Sequence, residues 1–216
     1  MQVIEGILFE PVGCLAEFAS GPFHEIAVRF FSRKGKASNS ASRSYWHLLN
    51  LMEGAEKPLD DEQRNAVEAL EAEAAVAAVI YEDVLPALAE LKTMGIKLLI
   101  ASSLSRAAVT RFVENSAAAE LFSGVWNRDN AGGIKTVPLL RAVDGAALRP
   151  ENTIFLTDTA EGLKVGRSAG VSPILMMNDP DEALRLAMHN PAGGVVSLHE
   201  LPDFIRLVQA QNETVS

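Results

Sequence analysis

Apolar residues recur along the chain with two different spacings, and the change between them divides the sequence into two kinds of structure. Residues 3–9 form a short apolar run that stops at Pro11 and Gly13, as expected for a buried parallel strand leading into a tight loop. From residue 21 to residue 81 the apolar positions recur every three or four residues, which is the spacing of amphipathic helices. This stretch predicts consecutive helices, with no strand between them, inserted after the first strand.

Beyond residue 82 the pattern alternates between short apolar runs and amphipathic segments. The runs predict strands at 96–101, 124–126, 153–156, 171–176 and 195–196. The amphipathic segments predict helices at 84–91, 107–117, 137–143, 162–169, 181–188 and 198–207. Strands that alternate with helices across short links form parallel sheets, because each parallel connection has to cross back over one face of the sheet.

The predicted fold class is therefore α/β, a three-layer α/β/α parallel sheet with an inserted α-helical cap. We assign residues 1–18 and 82–216 to the α/β core domain and residues 19–81 to the helical cap domain. A chain of 216 residues is long enough for one such domain with an insertion.

Composition and charge narrow the classes of protein to which the chain can belong. No apolar run approaches the ~20 residues that cross a bilayer, and the first fifteen residues lack the pattern of a signal peptide. We therefore expect a cytoplasmic protein without a membrane partner. Cys14 is the only cysteine, which excludes an internal disulfide. A formal net charge of −9 argues against nucleic acid as a partner, because binding phosphate backbones requires clustered Lys and Arg.

One short stretch of the chain is basic. It contains Arg29, Arg33, Lys34, Lys36 and Arg43, interspersed with serines. Two interpretations stay open at this point. The stretch is either a solvated loop or a basic lip that faces a substrate.

Four polar residues follow predicted strands or the loops beside them: Glu10, Ser102, Lys135 and Asp158. The carboxyl ends of parallel strands meet at one edge of the sheet, where ligands of such folds bind. An acid, a hydroxyl, a cation and a second acid at one edge can handle a phosphoryl group together with a divalent metal.

In order and spacing, these segments resemble the four motifs of the haloacid dehalogenase superfamily, specifically its phosphatases with a helical cap of the C1 type. The resemblance covers nearly the whole chain. That family has Asp-x-Asp-x-Thr after its first strand, with the first Asp as nucleophile and the second as general acid and base. In this sequence Glu10, Val12 and Cys14 stand at those three positions, so the first motif is degenerate.

The other motifs are better kept. The resemblance implies that Ser102 holds the transferring phosphoryl group, with Ser103 beside it, and that Lys135 neutralises its charge. The last motif keeps its first acid as Asp158, whereas Gly162 stands where the second acid is usual. By resemblance, the catalytic residues are Glu10, Ser102 and Lys135, and the substrate is bound by the two serines and Lys135.

The changes in the first motif weaken the implied chemistry. The extra methylene of Glu10 shifts the attacking oxygen by on the order of 1 Å, which costs roughly 10²-fold where geometry is tight. Val12 can neither donate nor accept a proton, and general acid–base catalysis contributes roughly 10²–10⁴-fold. The sequence therefore indicates a weak or inactive phosphatase of small phosphorylated metabolites.

The resemblance also implies a magnesium ion. Its ligands would be the Glu10 carboxylate, the Val12 carbonyl oxygen and Asp158. Because Mg²⁺ keeps several waters and needs few protein ligands, a weakly bound Mg²⁺ is the expected cofactor.

Three functional classes remain open from the sequence. The first is a non-catalytic protein that binds a small phosphorylated or carboxylated metabolite, or a protein partner that it regulates. The second is a slow hydrolase whose turnover depends on Glu10. The third is a structural or regulatory protein that uses the cap as its contact surface. A 2-haloacid dehalogenase is a further alternative, in which Arg29, Arg33 or Arg43 would receive the halide.

Overall fold

The structure is a computed structural model that describes residues 3–32, 38–178 and 180–213. Its strands are β1 (Gly6–Phe9), β2 (Ala16–Glu17), β3 (Val79–Ile80), β4 (Lys97–Ala101), β5 (Gly124–Trp126), β6 (Thr153–Thr157), β7 (Ser172–Met176) and β8 (Gly193–Val195). Its helices are α1 (Pro11–Cys14), α2 (Ser20–Phe31), α3 (Ala41–Glu53), α4 (Asp61–Val76), α5 (Val84–Thr93), α6 (Arg106–Asn115), α7 (Arg128–Ala131), α8 (Thr136–Gly145), α9 (Ala160–Ser168), α10 (Pro180–Ala187) and α11 (Glu200–Glu213).

A parallel sheet with strand order β5-β4-β1-β6-β7-β8 organises the described part of the chain. Strand β1 lies inside it, with Leu8 opposite Leu99 of β4 on one side and Phe155 of β6 on the other. The three apolar side chains of β1, Ile7 to Phe9, are fully buried, because helices cover both faces of the sheet. The predicted three-layer α/β/α class is therefore confirmed.

The helical segment α2 to α4 stands between two very short strands. These strands, β2 and β3, pair antiparallel, with Ala16 opposite Ile80, so the two connections to the helical segment run side by side. The sequence analysis missed both strands, because two residues are too few to show a period. The boundaries proposed for the cap, residues 19–81, stay a prediction.

Two predicted elements near the C-terminal end shift in the structure. The last strand is residues 193–195 and not 195–196, because Gly193 and Gly194 have no side chains to carry an apolar pattern. The last helix begins at Glu200 and not at residue 198. Asp83 explains the delay: its carboxylate accepts the backbone N–H of Leu198 at 2.6 Å and holds that residue outside the helix.

No helix in the described ranges is long and apolar enough to cross a membrane.

A buried ion pair joins the helical cap to the core. Glu71 of α4 is fully buried, and its Oε1 accepts a hydrogen bond from the Arg128 guanidinium of α7 at 2.5 Å. Its other oxygen accepts the backbone N–H of Ser105 at 3.0 Å. Both carboxylate oxygens are thus satisfied, which a buried charge requires.

We expect Arg128→Met to lower the free energy of unfolding by about 3–5 kcal/mol, because it leaves the Glu71 carboxylate buried without a counter-charge. Glu71→Gln/Arg128→Met should recover most of that loss, since the amide still accepts from Ser105 and carries no charge. Urea unfolding of the two variants and the wild type measures both effects. Equal losses in the single and the double variant would show that the ion pair does not stabilise this contact.

Candidate functional site

The carboxyl ends of three adjacent strands bring the candidate residues to one edge of the sheet. Glu10 follows β1, Ser102 follows β4 and Asp158 follows β6, and β1 lies between the other two strands. Parallel pairing in register places these strand ends side by side. The topology explains why residues more than fifty positions apart in the chain can share one site.

Glu10 and Ser102 are in direct contact. The Ser102 hydroxyl donates to Glu10 Oε1 at 2.7 Å and also accepts the backbone N–H of Leu104 at 3.1 Å. Glu10 is 3% exposed and Ser102 is 1% exposed, so both lie beneath the surface. The structure thus places Glu10 and Ser102 together, as the sequence analysis expected. The catalytic roles assigned to them stay predictions.

Tyr45 of helix α3 occupies the space beside this pair. Its hydroxyl donates to Glu10 Oε2 at 3.1 Å, lies 3.3 Å from the Ser102 oxygen and accepts the backbone N–H of Ser103 at 2.9 Å. The whole side chain is buried, with its ring against Phe23. A hydroxyl of the protein itself therefore makes the contacts that a ligand oxygen next to Glu10 would make.

Burial makes Glu10 a neutral group near pH 7. Loss of hydration raises the pKa of Glu10 from 4.5 to about 8, against the opposing effect of hydrogen bonds from Ser102, Tyr45 and the backbone of Val12 and Ser103. The carboxyl group is consequently protonated in most molecules at neutral pH. A neutral carboxyl is a poor nucleophile, because attack requires the lone pairs of the carboxylate form.

The loop after β1 is shaped by Gly13. This residue has φ +80°, and a Cβ added there would lie 2.1 Å from both Asp158 Oδ2 and Ser42 Oγ. The Ser42 hydroxyl donates to Asp158 Oδ2 at 2.5 Å, and both side chains pack against the Gly13 backbone. Val12 beside it is fully buried and brings no titratable group.

These residues do not fit the magnesium ion that the resemblance implies. Each oxygen of Glu10 accepts a hydrogen bond from Ser102 or Tyr45, so a metal ion that bound there would have to displace one of these hydroxyl groups. One Asp158 oxygen is bound by Ser42. Among the described residues, no group of three or more His, Cys, Asp or Glu side chains could hold a metal ion.

Lys135 is turned toward the helical cap. Its ammonium donates to Asn50 Oδ1 at 2.7 Å and to Glu53 Oε2 at 2.5 Å, both in the last turn of α3. Its backbone N–H donates to the Ser103 hydroxyl at 2.6 Å. The role in neutralising a phosphoryl group that resemblance implies for Lys135 stays a prediction.

Ser103 lies where these contacts converge. Its N–H binds Tyr45, its hydroxyl accepts from the Lys135 backbone, and its carbonyl accepts from Arg128 at 3.4 Å. Arg128 in turn pairs with Glu71 of the cap. The predicted substrate-binding serine is thus fully engaged by protein groups.

An open cleft of about 650 Å³ lies on the Asp158 side of this network. Polar residues from the loop before α3, from α3 itself and from the end of β7 line much of it, among them Ser40, Ser42, Arg43 and Asn178. Of the basic stretch, residues 33–37 fall outside the described residues, Arg43 lines the cleft, and exposed Arg29 pairs with Glu25 at 3.9 Å.

Sequence reasoning missed Tyr45, Ser42, Glu71 and Arg128. A signal existed for Tyr45: residues 45, 48, 49 and 52 recur at helical spacing, which puts the tyrosine on the apolar face of α3. No local pattern distinguishes Glu71 from the other glutamates of α4.

Comparison with protein families gives one match. The sequence model described as haloacid dehalogenase-like hydrolase matches residues 42–176, more than half of the chain. The match includes Ser102, Lys135 and Asp158 and begins after Glu10 and Val12. A search of curated proteins found no match.

Solved structures share the fold at low sequence identity. A haloacid dehalogenase-like family hydrolase from Streptococcus pneumoniae is 18% identical with a TM-score of 0.71, over 94% of this chain and 99% of that one. A predicted phosphatase from Clostridium acetobutylicum is 16% identical with a TM-score of 0.69, over 94% and 98%. An L-2-haloacid dehalogenase from Xanthobacter autotrophicus is 15% identical with a TM-score of 0.64, over 94% and 99%.

The raised pKa of Glu10 predicts a stability that falls as pH rises. Above pH 4.5 the unfolded chain releases this proton, while the folded chain keeps it until about pH 8. The free energy of unfolding should therefore fall between these values, by at most about 1.4 kcal/mol per pH unit. Glu10→Gln should remove this loss, which urea unfolding at pH 5, 6, 7 and 8 measures.

Glu5→Gln is the matched control for that experiment. Hydrogen bonds from Arg149 lower the pKa of Glu5 to about 2, so from pH 5 to 8 this carboxyl is ionised in both the folded and the unfolded chain. Glu5→Gln should therefore lower stability by the same amount across that range and leave the slope against pH unchanged. Parallel curves for the wild type and Glu10→Gln from pH 5 to 8 would rule out a neutral buried Glu10.

Tyr45→Phe should destabilise the protein by about 1–3 kcal/mol, because the buried Ser103 N–H loses its acceptor while the ring keeps its packing. Thermal or urea unfolding measures the change. Tyr81→Phe removes the hydroxyl of the other tyrosine, which makes no hydrogen bond within the described residues, and should cost little by comparison. A Tyr45→Phe variant as stable as the wild type would mean that the hydroxyl network contributes nothing.

Proposed function

The chain belongs to the haloacid dehalogenase-like hydrolase family, and from that membership we propose that it is a member with little or no phosphatase activity that binds a small phosphorylated or carboxylated metabolite. The proposal concerns only what this chain does with the family's pocket. The family's fold carries many functions, so the residues of the site determine which of them this chain has.

The observation that carries the proposal is the position of Tyr45. Its hydroxyl contacts Glu10, Ser102 and the Ser103 N–H at 2.9–3.3 Å. A phosphoryl group attacked by Glu10 would need those same donors and that same space. With Tyr45 in place, the substrate has no room beside the carboxyl group.

The reacting groups themselves support the same conclusion. A carboxyl group with a pKa of about 8 is mostly protonated at neutral pH, and Val12 supplies no proton to a leaving group. At pH 7 such a pKa leaves roughly one carboxyl group in ten ionised, and the missing proton donor costs roughly 10²–10⁴-fold. Together with Tyr45 they favour binding over turnover.

The open cleft is the proposed binding site. Its volume of about 650 Å³ is within the range of small-molecule sites, and a ligand can enter it without displacing Tyr45. Hydroxyl, amide and guanidinium groups of Ser40, Asn178 and Arg43 line it. Two acids, Glu17 and Asp158, line the same cleft, so we assign a phosphate or carboxylate group of the ligand to Arg43 and the neutral groups of Ser40 and Asn178.

Slow hydrolysis is the second candidate, favoured by the 2.7 Å contact between Ser102 and Glu10. The geometry of that pair would permit attack in the fraction of molecules in which Glu10 is ionised and Tyr45 has withdrawn. This candidate predicts weak turnover that increases as pH rises toward 8.

Phosphate release and binding can be measured side by side. The wild type, Glu10→Gln and Glu10→Asp/Val12→Asp are incubated with magnesium and a panel of phosphorylated metabolites, and chloride release from 2-chloropropionate is followed in parallel. We expect no phosphate or chloride release from the wild type or Glu10→Gln. Glu10→Asp/Val12→Asp restores both acids of the family's first motif, and we expect it to release phosphate only when Tyr45→Ala is added, because Tyr45 otherwise still occupies the space beside position 10. Wild-type release that is abolished in Glu10→Gln would contradict the proposal and establish the slow hydrolase.

Calorimetry with the same metabolites tests the binding half of the proposal. Arg43→Met should weaken binding roughly 10- to 100-fold, the effect of losing a charge-assisted hydrogen bond. Arg29→Met is the matched control, because it removes an exposed arginine of the cap that does not line the cleft. Binding unaffected by Arg43→Met would place the ligand elsewhere.

A further inference from the structure

Lys135 has an unusual backbone for a residue with a side chain. Its dihedral angles are φ 58° and ψ −108°, outside the regions that residues with a Cβ favour. The hydrogen bond from its N–H to the Ser103 hydroxyl, at 2.6 Å, helps to hold this conformation. Strained residues persist only where their surroundings enforce them, and they occur preferentially at functional positions.

The side chain of Lys135 connects that strained loop to the end of helix α3. The ammonium binds Asn50 and Glu53 in the last turn of the helix, which contains no basic residue of its own. The carboxyl end of a helix carries a partial negative charge, so a cation there is favourable. The lysine side chain is 14% exposed, whereas that of Glu53 is 62% exposed, so water can reach the acidic partner.

Helix α3 also carries Tyr45, two turns before Glu53. At 1.5 Å per residue the two positions are about 12 Å apart along the helix. Tyr45 binds the Ser103 N–H, and Ser103 accepts the Lys135 N–H. Two attachments of α3 to the core, through Tyr45 and through Lys135, therefore converge on the same serine, and Ser42 at the start of the helix adds a third to Asp158.

We propose that Lys135 is a latch that holds the cap closed, and that releasing Asn50 and Glu53 from its ammonium allows α3 to lift and withdraw Tyr45 from Glu10 and Ser102. In this arrangement Glu53 binds the Lys135 ammonium, which by resemblance would bind a phosphoryl group, so the two compete for the same cation. The contact at the far end of the same helix then controls access to Glu10 and Ser102.

The inference rests on the proposed function in one respect, that the closed cap is the resting form. Its test reads cap opening and not phosphate release. A protein that proved catalytically active and still showed the latch would therefore refute the proposed function alone.

Hydrogen–deuterium exchange of the full chain, followed by mass spectrometry, is the experiment. The Ser103 and Ser105 amides are bound by cap residues Tyr45 and Glu71, so they exchange when the cap opens. Lys135→Met keeps the aliphatic stem without the charge, and Asn50→Ala/Glu53→Ala removes the partners. Each should speed exchange at residues 103–105 roughly 5- to 30-fold, the effect of one or two kcal/mol, and combining them should add nothing further.

Two references make the result decisive. Amides of the inner strand β1 should exchange only on global unfolding, whose free energy also falls when a latch variant weakens the closed form. Residues 103–105 should therefore exchange faster than β1 and with a smaller dependence on added urea, as expected for a local opening. Glu90→Ala breaks an exposed ion pair with Arg206 between core helices α5 and α11 and should leave residues 103–105 unchanged relative to β1. The proposal is overturned if neither latch variant speeds exchange at residues 103–105, or if these residues and β1 show the same urea dependence. If Lys135→Met does not fold, exchange in Asn50→Ala/Glu53→Ala alone tests the proposal.

Discussion

A carboxyl group buried away from water is the constraint on which the site depends. Glu10 lies at the end of the inner strand β1, where the parallel sheet leaves it 3% exposed. A buried carboxyl must be neutral or surrounded by donors, and here both apply: the pKa rises to about 8 while two hydroxyl groups bind its oxygens. One of those hydroxyls belongs to Tyr45 of the cap, so satisfying Glu10 requires that the cap be closed.

The closed cap also satisfies other polar groups where it contacts the core. The Ser103 N–H donates to Tyr45, while its hydroxyl and carbonyl oxygens accept from Lys135 and Arg128. Arg128 also pairs with Glu71 of the cap. Each of these groups would be costly to leave unpaired in a dry environment. The cap is therefore better described as part of one packed structure in its resting form than as a loosely attached lid.

The arrangement of the family's sheet edge is kept, while some of the groups placed on it differ. Strand order, the neighbouring positions of Glu10 and Ser102, and the acid after β6 all persist. What differs is charge and access: a longer acid that is protonated, a valine where a proton donor is usual, and a tyrosine in the remaining space. Solved structures with the same fold include a predicted phosphatase and an L-2-haloacid dehalogenase, so the fold alone does not specify the chemistry.

The sequence by itself determined the α/β class, the helical insertion and the meeting of Glu10 with Ser102, because hydrophobic period and strand order are local properties that parallel pairing converts into position. It also exposed the loss of an acid at Val12. Only the tertiary structure decided that Tyr45 fills the pocket, that Lys135 turns to Glu53 and that Glu71 pairs with Arg128. Those contacts join residues 35 to 82 positions apart, across elements whose relative placement depends on packing. No periodicity within one segment encodes such pairs, since their energies arise only when the segments meet and exclude water.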